Sequence, residues 1–216
     1  MLAELQKQLA DIYQVDPGYR VTDFLITDPA LASLLGQQSM LQNSPETVLL
    51  SQDDDGIALS VFLDEEMLDR LGAGDPLCRL TAPQLNDLWT VLEGISHFNY
   101  IAWNAACDKR VTLLELELQA EIDKFVSTWL LAQQQQRPAF ADRLHDWLFD
   151  EVSFRTDLSI EQRVRYEMAN NYAARFCSGL RRRLQRSDGD GLQELRKFYR
   201  LGQSDKLSHI HAQTYA

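Results

Sequence analysis

Glu93, His97, Tyr100 and Asn104 follow one another at spacings of four, three and four residues. On a helix that spacing makes one stripe. The stripe borders the apolar face of a predicted helix over 83–106, whose apolar positions include Leu85, Leu88, Trp89, Leu92, Ile95 and Phe98. The next predicted helix, 111–133, carries Glu115 and Glu121 within or beside its own apolar face of Leu114, Leu118 and Ile122, with Glu117 projecting further out. A short turn at Asp108–Arg110 makes the two helices an antiparallel hairpin. Such a pair brings His97 near one or more carboxylates.

Three chemistries compete for this set. The first is a buried hydrogen-bond network, in which His97, Tyr100 or Asn104 supplies the donor that a buried carboxylate needs. The second is a metal centre. One imidazole with two or three carboxylates suits iron, manganese or zinc, so Glu93, His97, Glu117 and Glu121 are the candidate ligands. The Glu-x-x-x-His spacing differs from the Glu-x-x-His motif that dimetal bundles use twice, and no His-Glu-x-x-His is present. The third is acid–base work by His97 paired with Glu121, which needs an open pocket.

A second feature lies nearer the C-terminus. Arg175, Arg182 and Arg186, seven and four apart, share a helix face with Gly179, and Arg181 and Arg183 widen the patch. Arg196, Lys197 and Arg200 follow on the next predicted helix. Guanidinium groups suit phosphate or carboxylate, so Arg175, Arg182 and Arg186 form a candidate anion-binding face. Of the nearby aromatics, Tyr199 is the one expected to be free for stacking. His209 and His211 are read as part of a frayed tail, His145 as an isolated side chain, and Asp53–Asp54–Asp55 as a solvated turn, because the distal ligands of a calcium loop are missing.

Periodicity supplies the elements that position these groups. Helices are predicted at 2–14, 29–36, 83–106, 111–133, 138–149, 160–185 and 192–201. Asp28 is read as one cap, and Thr112 with Glu115 and Ser159 with Gln162 as capping boxes. Residues 47–52 and 57–63 alternate around an Asp-Gly step and predict a hairpin, which needs helices or a third strand to be stable. Asp64, Glu65 and Glu66 open a short helix through Leu68 and Leu71. The expected fold class is mainly α, an irregular helical bundle with one small antiparallel hairpin. It is read as a single domain over 1–216, with N-terminal helices and hairpin in 1–80 and a helical core in 81–216.

The chain has 216 residues, 45% hydrophobic and 25% charged, with a formal net charge of −11. That balance excludes a generally basic coat for nucleic acid or membrane. The charge is split, however. Residues 1–160 carry 26 acids and 10 bases, and residues 161–216 carry 6 acids and 11 bases. The basic part is expected either to dock on the acidic body or to meet a partner. Cys78, Cys107 and Cys177 have neither zinc nor redox spacing and are read as buried thiols in a reducing cytoplasm. No signal segment, membrane span, phosphate loop, dinucleotide fingerprint or nucleophile elbow is present. The leading expectation is a non-catalytic interaction or regulatory protein that meets a protein or polyanion at its arginine face. The alternative is a metal-dependent enzyme with its carboxylate and histidine site between the two central helices. A homodimer is the third possibility.

Overall fold

The computed structural model describes residues 1–36, 44–53, 56–186 and 189–212. Helix α1 is Leu2–Tyr13, strand β1 Leu25–Ile26, α2 Pro29–Leu35, β2 Glu46–Asp53, β3 Gly56–Leu63 and α3 Glu65–Gly74. Then come α4 Leu85–Ala106, α5 Leu113–Gln134, α6 Pro138–His145, α7 Ile160–Leu184, α8 Asp190–Tyr199 and α9 Gln203–Ala212. The fold is a mainly helical bundle with one small sheet, the expected class. Of the three aspartates at the hairpin tip, Asp54 and Asp55 lie outside the described residues.

The caps explain where the main helices start. The Thr112 hydroxyl accepts from the Glu115 backbone N–H while the Glu115 carboxylate accepts from the Thr112 N–H. Ser159 and Gln162 close the same reciprocal pair at the start of α7. Each satisfies two of the donors that a helix leaves open at its N-terminus. Asp28 caps α2 and Asp64 caps α3 in the simpler way.

The hairpin does find a third strand. The sheet order is β1–β3–β2, with β1 parallel to β3 and β2 antiparallel to it. Val61 and Leu63 of β3 are fully buried, and the sheet packs on α4. Helix α5 lies at the centre, against α4, α6 and α7, and also touches α1. Its buried residues alternate between apolar groups such as Leu118, Ile122 and Phe125 and polar ones such as Glu117, Gln119, Asp123 and Lys124. An apolar stripe is therefore not what locates this helix; its polar side chains are buried because they find partners.

The C-terminal segment departs from expectation. It forms a helix, α9, instead of a frayed tail. His209 Nε2 lies 2.5 Å from Glu194 Oε1, and the His211 ring meets Tyr172 edge-on. Tyr199 is buried and stacked on Tyr13 at 4.1 Å, so it offers no free platform. Arg196 and Arg200 do not extend the arginine face. Arg196 donates to the Ile12 carbonyl, and Arg200 to the carbonyls of Tyr13 and Gln14. These are the open acceptors at the C-terminal end of α1, where positive charge also meets the negative end of the helix dipole. With Arg181 on Asp142 and Arg183 on Glu194, part of the basic C-terminal charge docks within the chain. Cys78 and Cys107 are exposed and only Cys177 is buried.

Candidate functional site

Gly94 decides where the sheet meets α4. A Cβ built there would lie 3.0 Å from Val61 Cγ1, 3.2 Å from Glu46 Cγ and 3.2 Å from Leu63 Cδ2. Any side chain there would press on residues of both strands, which would have to give by a few tenths of an ångström. Glu46, the first residue of β2, is thereby set beside His97, one turn further along α4.

His97 stands between two carboxylates. Its Nδ1 is 3.5 Å from Glu46 Oε1 and its Nε2 is 3.6 Å from Glu117 Oε2. Glu117 Oε1 in turn lies 3.6 Å from Arg165 Nε, on α7. These separations are too long for good hydrogen bonds. Accordingly Glu46 Oε1, His97 Nε2 and Arg165 Nε are all buried without a hydrogen-bond partner. Beside this chain sits a tight ion pair. Lys124 Nζ is 2.6 Å from Glu93 Oε2 and 2.7 Å from Glu121 Oε1. Glu46, Glu93 and His97 each offer one ligand atom, all within 4.8 Å of one another. Glu93 and Glu121 retain about a fifth of their side-chain exposure, so the cluster reaches the surface there.

The electrostatics follow from this crowding. Burial alone would depress the His97 imidazolium, but Glu117 and Glu46 on its two ring nitrogens outweigh it and raise it well above the ordinary histidine value. Burial pushes the Glu46 carboxyl up against the pull of His97. For Glu93 burial acts upward too, yet Lys124 and His97 win and hold it below its usual value. Burial raises Glu121 in spite of Lys124. The burial penalty on Lys124 itself is overcome by Glu121 and Glu93. The Tyr166 phenol is raised by burial and then by Glu117, Glu93 and Glu46, which places its hydroxyl in the field of the same carboxylates.

Glu93, His97, Glu117 and Glu121 are thus brought together, with two corrections to their roles. Glu117 turns inward to His97 instead of projecting outward, because α7 covers that side of α5. Glu121 pairs with Lys124, so it is not the partner of His97. The rest of the α4 stripe goes elsewhere. Asn104 donates to the Tyr100 carbonyl one turn back. The Tyr100 ring meets Tyr199 and the Lys206 ammonium. Glu46, Lys124, Arg165 and Tyr166 are additions; of these, Lys124 alone had a local signal, three residues after Glu121 on a predicted helix.

Arg175 and Arg182 are exposed on the C-terminal half of α7, and Arg186 is exposed two residues past its end. The N-terminal half of the same helix exposes Ile160, Val164 and Met168, four residues apart. A second group with ligand atoms within 4.8 Å is His145, Asp146 and Asp150, where α6 runs into a π-turn, Asp146–Asp150. His145 Nε2 lies 3.0 Å from the Ala174 carbonyl, which makes that nitrogen the donor and leaves Nδ1 facing Asp150 at 3.9 Å. Both aspartates are exposed. Comparison with protein-family models, with curated proteins and with solved structures finds no match to this chain. No described helix is long and apolar enough to cross a membrane.

Proposed function

We propose that this chain binds one divalent transition-metal ion through Glu46, Glu93 and His97, and that the ion serves as the cofactor of a metal-dependent enzyme. The observation that carries the proposal is the buried His97 held between two carboxylates at 3.5 and 3.6 Å, with Glu46 Oε1 and His97 Nε2 lacking hydrogen bonds. A purely structural network leaves few such groups unmet. Charge supports the same reading. Glu46, Glu93, Glu117 and Glu121 face two fixed cations, Lys124 and Arg165. With a neutral imidazole the cluster carries two uncompensated negative charges, which one divalent ion cancels. Without metal, protons on His97 and Glu46 do part of that work.

Within this reading the residues divide their roles. Glu46, Glu93 and His97 Nδ1 are the ligands. Glu117, 3.6 Å from His97 Nε2, is placed to orient the ring once the two close to hydrogen-bond distance, as carboxylates beside ligating histidines do, and Arg165 lies 3.6 Å from Glu117 on its other side. One imidazole with two carboxylates favours manganese, iron or zinc. A bound ion of this class acts as a Lewis acid and lowers the pKa of a coordinated water. The test is elemental analysis of untagged protein purified without chelator, then supplemented with Mn²⁺ or Zn²⁺ at pH 8. About one equivalent is expected, lost in His97→Ala and in Glu46→Ala. No retained metal in the wild-type chain overturns the proposal.

A second reading rests on the exposed arginines. We propose that Arg175, Arg182 and Arg186 contact a polyanion or an acidic protein face, supported by their exposure along α7 and just past its end. Affinity for a polyanion such as heparin should fall steeply with salt, through counterion release, and should drop with Arg182→Ala. Salt-independent retention counts against it. Self-association through Ile160, Val164 and Met168 is a further possibility of the same surface, read by sedimentation. The exposed thiols of Cys78 and Cys107 suit a reducing compartment such as the cytoplasm.

A further inference from the structure

Resting on the metal reading above, we infer that Lys124 occupies the second cation position of a carboxylate-bridged two-cation site, and that this lysine limits the cluster to one metal ion. Its ammonium lies 2.6 Å from Glu93 Oε2 and 2.7 Å from Glu121 Oε1. Glu93 belongs also to the set Glu46, Glu93 and His97, whose ligand atoms lie within 4.8 Å of one another. One carboxylate therefore stands between two cation positions. Protein two-metal centres share this plan, with the two ions about 3.5–4 Å apart. Here one of the two cations belongs to the chain.

Both halves of the arrangement come from helix periodicity. Glu93 and His97 are four apart on α4, so both face the same way. Glu121 and Lys124 are three apart on α5 and face back at Glu93. The lysine stem is as buried as the ligands, so the ammonium is held in the cluster and does not reach out to solvent. An ammonium donates to carboxylates but accepts no ligand and activates no water. With Lys124 in place the second position supplies charge alone. Removing it leaves two half-buried carboxylates facing an empty cation position, which favours a hard divalent ion such as Mn²⁺.

The test counts Mn²⁺ on the full chain at pH 8, by elemental analysis after equilibrium dialysis and by the exchange-coupled paramagnetic resonance signal of paired ions. The wild-type chain and Lys124→Arg should each bind one ion and show no coupled signal. Lys124→Ala should bind one more ion than wild type and show coupling. Adding Glu121→Gln to Lys124→Ala should bring the count back to one. Lys124→Gln keeps a donor for Glu121 and gives the same reading if the alanine variant does not fold, with folding checked by circular dichroism. An unchanged count in the neutral variants overturns the inference. The two proposals fail separately. No ion on wild type with one on Lys124→Ala refutes the Glu46–Glu93–His97 ligand set and keeps the Lys124 position. One ion on both keeps the ligand set and refutes the Lys124 position.

Discussion

Two polar clusters are buried against α5, and they are built on opposite rules. One gathers Glu46, Glu93, His97, Glu117, Glu121, Lys124 and Arg165, from β2, α4, α5 and α7. The other gathers Tyr13, Ser96, Gln119, Asp123 and Lys206, from α1, α4, α5 and α9. In the second cluster Asp123 accepts from the Tyr13 hydroxyl, from Ser96 Oγ at 2.6 Å and from Gln119 Nε2 at 2.8 Å. The Lys206 ammonium donates to Gln119 Oε1 at 2.7 Å and lies over the Tyr100 and Phe198 rings at 4.7 and 4.8 Å. All five residues are shut from solvent. In the first cluster the histidine contacts are long, three polar atoms have no partner, and Glu93 and Glu121 reach the surface. A fully satisfied network ties elements together. A cluster with orphaned polar atoms and two carboxylates that reach the surface leaves its groups short of partners.

The sharpest break in this comparison is Asp123→Ala. It strips the acceptor from Tyr13, Ser96 and Gln119 at once. Each orphaned buried donor costs about 1–3 kcal/mol, so a loss of about 4 kcal/mol is expected in urea unfolding. Added Mn²⁺ or Zn²⁺ should restore none of it. Recovery with metal would place Asp123 in the ion's site and erase the distinction.

Lys206 gives the next effect, through pH. Burial lowers its ammonium to about 7, with Glu115 and Asp123 offsetting part of the penalty. Between that value and the ordinary lysine value near 10.4 the unfolded chain holds a proton that the folded chain lacks. Stability therefore rises with pH in this window. The Asp123 carboxyl, raised to about 6 by burial, acts below it and with the opposite sign: its favourable contribution fades as pH rises through 6. The difference between wild type and Lys206→Met isolates the lysine. It should shift in favour of wild type by about 2 kcal/mol from pH 7 to pH 9. A flat difference curve would show that Lys206 stays charged in its aromatic surroundings.

The two clusters are unequally legible in the sequence. The capping boxes at Thr112 and Ser159 are local and stand where their spacing puts them. Glu93 and His97 share a helix, so their juxtaposition is readable as well. Glu46 is not, because its approach depends on a strand pairing and on Gly94, far away in the chain. Glu117 misleads because α5 is covered on several sides, and a helical wheel then has no outer face. Lys206 misleads for a statistical reason: lysine is almost never fully buried, so a short polar segment holding it reads as a tail. In each case the missing information is which distant element arrives to satisfy a polar group.

Gly94→Ala probes that dependence directly. The new methyl would meet Val61, Glu46 and Leu63 at 3.0–3.2 Å, so the strands must give by a few tenths of an ångström. Overpacking of this kind costs about 1–3 kcal/mol, and the better helix propensity of alanine returns about 1. A net loss of about 1 kcal/mol is expected, with metal affinity lowered at least tenfold because Glu46 is displaced from His97. Unchanged affinity would show that the strand does not contribute a ligand.

The smallest effect on stability should come from the residue most central to the proposed site. His97→Ala removes a ring whose nearest carboxylates are 3.5 and 3.6 Å away, so little good hydrogen bonding is lost. Glu46, already raised by burial, can then take up a proton. In metal-free buffer the expected loss is about 1 kcal/mol, well short of Asp123→Ala. In saturating Mn²⁺ the gap to wild type should widen, since binding to the native state alone stabilises it by an amount set by concentration over Kd, and the variant forgoes that gain. The measurement is the urea midpoint of both proteins with and without the ion. A gap of the same size in both buffers would make His97 a structural histidine, and the two clusters would then differ in tightness but not in purpose.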